Sequence, residues 1–199
     1  IEIAGMFLNM SELSSEAALA ASLQPVAEIK KFGLSVQTAL QNDVNGAGWC
    51  LVDYFSDAGI KYLSMGINKT RSVLPFDRPT PFWWESPSGK RILAYRADHY
   101  MVANIWRLHE GNYEAFEAGF LEHLETLEKN GYPFKDVVAQ FSGYRTDNSP
   151  PSTHACDLVK KWNETYIWPK LRIATAHEYL ETIEKKHGNE LPVFRVAWP

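Results

Sequence analysis

Short apolar runs alternate with amphipathic stretches along most of the chain. The runs that predict β-strands are 5–9, 34–41, 61–67, 90–95, 136–141 and 171–173. Helical spacing of apolar residues predicts helices over 14–32, 49–58, 113–130, 149–166 and 175–188. Strands that alternate with helices of this length predict βα units, and therefore a parallel sheet or barrel.

Local signals mark where several of these elements start and stop. Pro25 predicts a kink or a split in the first helix. Gly59 predicts a helix C-terminus, and residues 175–178 have the pattern of a capping box. A long proline-rich loop is expected to carry Phe82-Trp83-Trp84, and the turn at 86–89 is expected to lead from it into the next strand.

Composition narrows the class of protein. The chain has 199 residues, of which 45% are hydrophobic and 22% charged, values typical of a globular domain with a sizeable core. The net charge of −4 and the lack of a Lys/Arg cluster argue against a nucleic-acid partner. No apolar run approaches the ~20 residues of a membrane span, so no membrane partner is predicted. We expect residues 1–199 to be part of one domain of a longer protein, and no compartment is predicted.

Polar residues follow the ends of the predicted strands. These residues are Asp43, Asn68, Asp98, His99 and Asp147. The carboxyl ends of parallel strands share one rim, and in barrels that rim holds the active site. Polar loops occur in any βα protein, which is the alternative explanation for Asn68 and Asp98 in particular. The glycine-rich turn after Asp43 favours the catalytic interpretation, since it brings backbone N–H groups close to the carboxylate.

Asp43 and Asp147 could act together in glycoside hydrolysis. A retaining mechanism needs two carboxyl groups about 5–5.5 Å apart, whereas an inverting pair stands about 6.5–9.5 Å apart. Trp83 and Trp84 are expected to offer aromatic faces to sugar rings, because two adjacent indoles in a loop do not both point inward easily. Asn68 and His99 are the other candidate substrate-binding residues.

Other chemistries find little support. The histidines lack the HxxxH or HxH spacing of metal ligands, and no complete metal site can be assembled from the chain. The sequence contains no GxGxxG, no P-loop and no GxSxG elbow, so dinucleotide, nucleotide and serine-hydrolase functions are not indicated.

Several sequence blocks resemble the N-terminal catalytic domain of the glycoside hydrolase family 38 α-mannosidases, especially divergent bacterial members. The order of the blocks along the chain is part of the resemblance. These blocks are 5–12, 42–49, 58–64, 146–151 and 162–175. The block at 42–49 resembles the family's nucleophile motif, with Ala47 where the family usually has His. The block at 146–151 resembles the segment that supplies the acid/base.

The resemblance implies an α/β fold, a (β/α)7 barrel-like parallel sheet with surrounding helices that is incomplete in this chain. It implies that Asp43 is the nucleophile and a ligand of a single zinc ion, whose remaining ligands lie outside the chain, and that Asp147 is the acid/base. The expected function is a zinc-dependent retaining glycoside hydrolase acting on α-mannoside-like carbohydrates. The alternatives are a carbohydrate-binding domain of the same fold without catalysis, and a structural or partner-binding α/β domain.

Overall fold

A computed structural model describes residues 2–6, 14–44, 46–68, 80–141 and 150–198. The chain divides into two compact units. The first contains residues 1–100 and 175–199, and the second contains residues 101–174. None of the helices in the described ranges is long and apolar enough to cross a membrane.

The first unit is built on a five-stranded sheet with the strand order β1-β2-β4-β3-β5. Its strands are β1 Thr38–Asn42, β2 Tyr62–Gly66, β3 Thr80–Glu85, β4 Arg91–Ala97 and β5 Val193–Phe194. Strands β1, β2 and β4 are parallel neighbours, which confirms the prediction for three of the apolar runs. Strand β3 is antiparallel to β4, and β5 is parallel to β3. The architecture is therefore mixed α/β with a mostly parallel sheet.

Seven α-helices and one 3-10 helix lie in the described ranges. The first unit contains α1 Glu16–Ala21, α2 Gln24–Lys31, α3 Leu51–Asp57 and α7 Ala176–His187, and the second contains α4 Val102–Ile105, α5 Tyr113–Lys129, α6 His154–Thr165 and the 3-10 helix Leu108–Glu110. The predicted split at Pro25 is confirmed, since α2 begins one residue before this proline. Gly59 follows α3 at φ 73°, the left-handed conformation predicted for it.

The main core lies between one face of the sheet and helices α1–α3. It includes Leu19, Val26, Ala39, Val52, Phe55, Leu63, Met65, Phe82, Trp84, Ile92 and Ala94. Because alternate strand residues point to opposite faces, the intervening residues face α7. There the hydroxyl of Tyr62 donates to Glu184 at 2.5 Å, and Tyr95 meets Tyr179 edge to face. The sheet of the first unit is thus covered on both faces.

The second unit has its own core around α5 and α6, in which Phe116, Phe120 and Trp162 pack ring against ring. The strand predicted at 136–141 belongs to this unit and does not form. Instead, the carbonyl of Gln140 accepts from the N–H of Ala103 at 2.9 Å. An apolar run becomes a strand only where another strand can pair with it, so the prediction that this run joins the sheet was wrong.

The strand predicted at 171–173 does not form either. Both backbone groups of Leu171 bond to one side chain of α6, because the amide of Asn163 accepts from Leu171 N and donates to Leu171 O at 2.9 and 2.8 Å. The side-chain amide takes the place that a neighbouring strand would fill.

Residues 80–85 form strand β3, although the sequence predicts that they are part of a loop. Aromatic residues favour strands, and the turn predicted at 86–89 folds β3 back onto β4. Gly89 N–H donates to Ser86 O at 3.0 Å, and Gly89 adopts φ 86°. Asp53 of α3 accepts from both Ser86 and Ser88, which fastens this turn to the helix.

The capping box at the start of α7 is confirmed and gives a stability prediction. Glu178 N–H donates to the Thr175 hydroxyl at 3.2 Å, and Thr175 N–H donates to the Glu178 carboxylate at 2.8 Å. We expect Thr175→Ala to lower the free energy of unfolding by about 1 kcal/mol, because an N-cap acceptor is lost. Urea denaturation measures this change. The matched control is Thr153→Ala, since Thr153 caps α6 without a side-chain hydrogen bond. Equal losses in the two variants would contradict the assigned capping role.

A second prediction concerns Tyr62 at alkaline pH. Burial, together with the hydrogen bond to Glu184, raises the pKa of the Tyr62 hydroxyl above its usual value. A tyrosine in the unfolded chain ionises near pH 10, whereas folded Tyr62 stays neutral there, so its contribution to stability is complete below about pH 10 and is lost as the pH rises further. The difference in unfolding free energy between wild type and Tyr62→Phe should therefore shrink between about pH 10 and pH 12. A difference independent of pH would contradict this.

Candidate active site

Two hydrogen bonds join the tip of β1 to the tip of β2. Asp43 N–H donates to Gly66 O at 2.8 Å, and Gly66 N–H donates to the Asn42 side-chain oxygen at 3.1 Å. Asp43 itself adopts φ 63°, a left-handed conformation that is uncommon for residues other than glycine but is tolerated best by Asn and Asp. Such strain persists where surrounding bonds impose it, and it occurs often at functional sites.

The Asp43 side chain is exposed and has a defined orientation. Asn68, which is half-buried and lies two residues beyond β2, donates from its amide Nδ2 to Asp43 Oδ1 at 2.5 Å. Asp43 Oδ2 has no hydrogen-bond partner within the described ranges. The result is a carboxylate with one oxygen fixed by a neutral donor and the other directed away from that donor.

The glycine-rich turn after Asp43 is anchored by its backbone. Ala47 N–H donates to Trp198 O at 2.8 Å, and Trp198 N–H donates back to Ala47 O at 3.3 Å. Ala47 is 2% exposed. Position 47, where the family resemblance leads one to expect His, is therefore part of the packed support of the turn.

The end of β4 brings further polar residues to the same sheet edge. Ala97 pairs with Gly66, so Asp98 and His99 follow at the edge that carries Asp43. The His99 ring stacks on Tyr100 with ring centroids 4.2 Å apart. Three of the predicted strand ends thus share one rim, as the sequence predicted.

A buried arginine lies directly beneath this rim. Arg96 is 1% exposed, and burial lowers the pKa of its guanidinium, an effect that nearby Asp98 opposes. Its position near the end of an otherwise apolar strand was not singled out from the sequence.

Trp83 and Trp84 lie on β3 and not in a loop, so that prediction was wrong. Trp84 is 1% exposed and donates its indole N–H to Val196 O at 2.8 Å. Trp83 is half-buried, donates to Gly188 O at 2.7 Å and carries the Arg91 guanidinium over its ring at 4.4 Å.

The register also separates these indoles from Asp43. Trp83 pairs with Leu93, which precedes Ala97 by four positions along β4. At about 3.3 Å per residue, this puts Trp83 about 13 Å from the rim along the strand direction. The structure therefore does not bring either tryptophan into one site with Asp43, and their assignment as sugar platforms there is not supported. Asp147 lies outside the described residues, so its separation from Asp43 stays a prediction.

A complete zinc centre is not formed by the residues that the structure describes. Among them, no group of three or more His, Cys, Asp or Glu side chains is placed to hold a metal ion. A catalytic zinc ion usually takes three protein ligands, and Asp43 supplies one carboxylate. The described donor set does not by itself fit zinc.

Comparison with known proteins identifies the family. The model of the glycosyl hydrolases family 38 N-terminal domain matches residues 1–197. The chain belongs to this family. A search of curated proteins found no match.

A solved structure has the same fold as this family 38 chain. It is an alpha-mannosidase from Enterococcus faecalis V583, which matches with a TM-score of 0.73 over 93% of this chain at 19% sequence identity. At that identity the likeness establishes the fold alone. The match covers 20% of the alpha-mannosidase chain, so the chain spans about a fifth of its length. The family is one of glycoside hydrolases, whose substrates are carbohydrates.

The expectation that the other zinc ligands lie outside the chain gives a prediction. We expect the 199-residue chain by itself to bind zinc weakly or not at all, because one carboxylate does not hold the ion. Titration calorimetry with a zinc salt measures the affinity, and Asp43→Asn is the comparison variant. Tight binding of one zinc ion per chain that survives Asp43→Asn would show that other residues form a different site.

Proposed function

We propose that this family 38 chain supplies the nucleophile of a retaining glycosidase that acts on α-mannosides or related glycosides. The observation that supports this proposal best is the Asp43 carboxylate, which is exposed at the tip of the parallel strand β1 and is oriented by Asn68. The structural neighbour is an alpha-mannosidase, which supports the substrate class.

The position of Asp43 suits nucleophilic attack. Its backbone is tied to Gly66, so the carboxylate is presented from a rigid strand end and not from a free loop. A positioned nucleophile loses little freedom on reaching the transition state, which is a main source of catalytic rate. Of the two carboxylate oxygens of Asp43, Oδ1 is bonded to Asn68, and Oδ2 is left to approach a sugar carbon.

The proposed reaction has two steps. An Asp43 oxygen attacks the anomeric carbon and the glycosidic C–O bond breaks, while the Asp147 carboxyl gives its proton to the departing oxygen. Water then attacks the same carbon and breaks the bond to Asp43, and Asp147 takes the proton from that water. Two displacements return the sugar with its original anomeric configuration.

Zinc enters this proposal through the family resemblance. Asp43 is the ligand that this chain would contribute, and a bound zinc ion would supply Lewis-acid polarisation and orientation of the sugar. The remaining ligands are expected outside the chain. The two steps above use only side chains of this chain.

The test is Asp43→Asn in the full-length protein. The neutral amide cannot form the covalent bond to the sugar, so turnover of a nitrophenyl α-mannoside should fall by at least about 1000-fold. Sugar binding should persist in part, because the amide keeps the size and the hydrogen-bond acceptor of the carboxylate. The matched control is Asp57→Asn, which removes an exposed α3 carboxylate paired with Lys90, away from the rim. Its turnover should match that of wild type.

Two results would contradict the proposal. Normal turnover in Asp43→Asn would exclude Asp43 as the nucleophile. Sugar binding without any turnover in the wild-type protein would favour the alternative, a carbohydrate-binding domain of this fold that has lost catalysis.

A further inference from the structure

We propose that Asn68 is a positioning residue for Asp43, which selects the carboxylate oxygen that reacts. This inference rests on the proposed function, since it assigns a role within the same site. Sequence reasoning placed Asn68 among substrate-binding residues, whereas in the structure its amide bonds to the carboxylate.

The hydrogen bond distinguishes the two oxygens of Asp43. Asn68 Nδ2 lies 2.5 Å from Oδ1 and donates to that oxygen. Oδ2 has no partner within the described ranges. A partial rotation of the carboxylate about its bond to Cβ would break this hydrogen bond, and a half-turn would put the other, equivalent oxygen in its place, so Asn68 holds the plane of the carboxylate. The oxygen that Asn68 does not contact, Oδ2 in this structure, is therefore the one that attacks.

The backbone holds the two side chains in register. Asp43 N–H is bonded to Gly66 O, and Asn68 follows Gly66 by two residues. The carboxylate and the amide thus come from adjacent parallel strands that are joined at their tips. The main chain that carries the Asn68 amide is therefore held at a fixed position relative to the main chain that carries the Asp43 carboxylate.

The residue type fits a positioning role. An amide donates to the carboxylate without adding a positive charge, so it orients the nucleophile and does not strongly neutralise it. An aspartate would have the same shape but would repel it.

The experiment compares Asn68→Ala, Asn68→Asp and Asn68→Gln in the full-length protein with a nitrophenyl α-mannoside. A nucleophile out of position by about 1 Å loses about 100-fold in rate, so kcat and the single-turnover rate of nitrophenol release should fall about 10- to 100-fold in Asn68→Ala. The KM should change by less than about twofold, because uniform substrate binding is kept. Asn68→Asp should lose at least as much as Asn68→Ala despite its matched shape.

Asn68→Gln keeps an amide donor on a longer chain and should recover part of the rate lost in Asn68→Ala. Gln37→Ala is the control, since it removes an amide that bonds Ser35 just before the opposite end of β1. Its kcat should equal that of wild type. If Asn68→Ala does not fold, as judged by circular dichroism, the rates of the Asp and Gln variants decide the question.

An unchanged kcat in Asn68→Ala would overturn the proposal, and so would a raised KM at constant kcat, which indicates a substrate contact. A loss in Asn68→Asp smaller than in Asn68→Gln would also overturn it. Failure of the proposed function itself is recognised separately, because Asp43→Asn would then keep its turnover whatever the Asn68 variants do.

Discussion

Three parallel strands end together at Asn42, Gly66 and Ala97, and the candidate site depends on that register. Since side chains alternate between the faces of a strand, a shift of one residue between β1 and β2 would turn every core residue of one strand towards the wrong face. The buried residues on both sides of the sheet therefore fix the register. The register in turn places Asp43 beside the carbonyl of Gly66 and within reach of Asn68.

Three of the seven tryptophans tie segments of the first unit together. Three indoles donate their N–H groups to backbone carbonyls that other elements or turns present: Trp49 to Glu85, Trp83 to Gly188 and Trp84 to Val196. For Trp84, which is 1% exposed, the acceptor matters most, because an unpaired N–H is costly away from water. Each bond fixes one segment against another, and the chain near Val196 is thereby held against the sheet.

The rim combines exposed charge with buried support. Asp43 is exposed, while Ala47 in the following turn and Arg96 near the end of β4 are almost fully buried. Polar groups on a rigid, packed base keep their geometry without the entropy cost of ordering a loop. This division between an exposed carboxylate and a buried frame is what a parallel sheet offers at the carboxyl ends of its strands.

Local signals in the sequence determined much of this structure. The apolar runs of β1, β2 and β4, the break at Pro25, the turn after α3 at Gly59 and the Thr175 capping box all depend on residues close together in the chain. The place of Asp43 at a strand tip follows from the same patterns. These features could be predicted because neighbouring residues alone decide them.

Only the tertiary structure decided which apolar runs found a partner. The run at 136–141 bonds to the start of α4, and the run at 171–173 bonds to the side chain of Asn163. Residues 80–85, in contrast, pair with β4. It also decided that Trp84 is buried and that Asn68 meets Asp43, 25 positions away in the chain. Strand pairing and side-chain contacts join residues that are distant in sequence, and periodicity along the chain carries no information about which distant segment will be the neighbour.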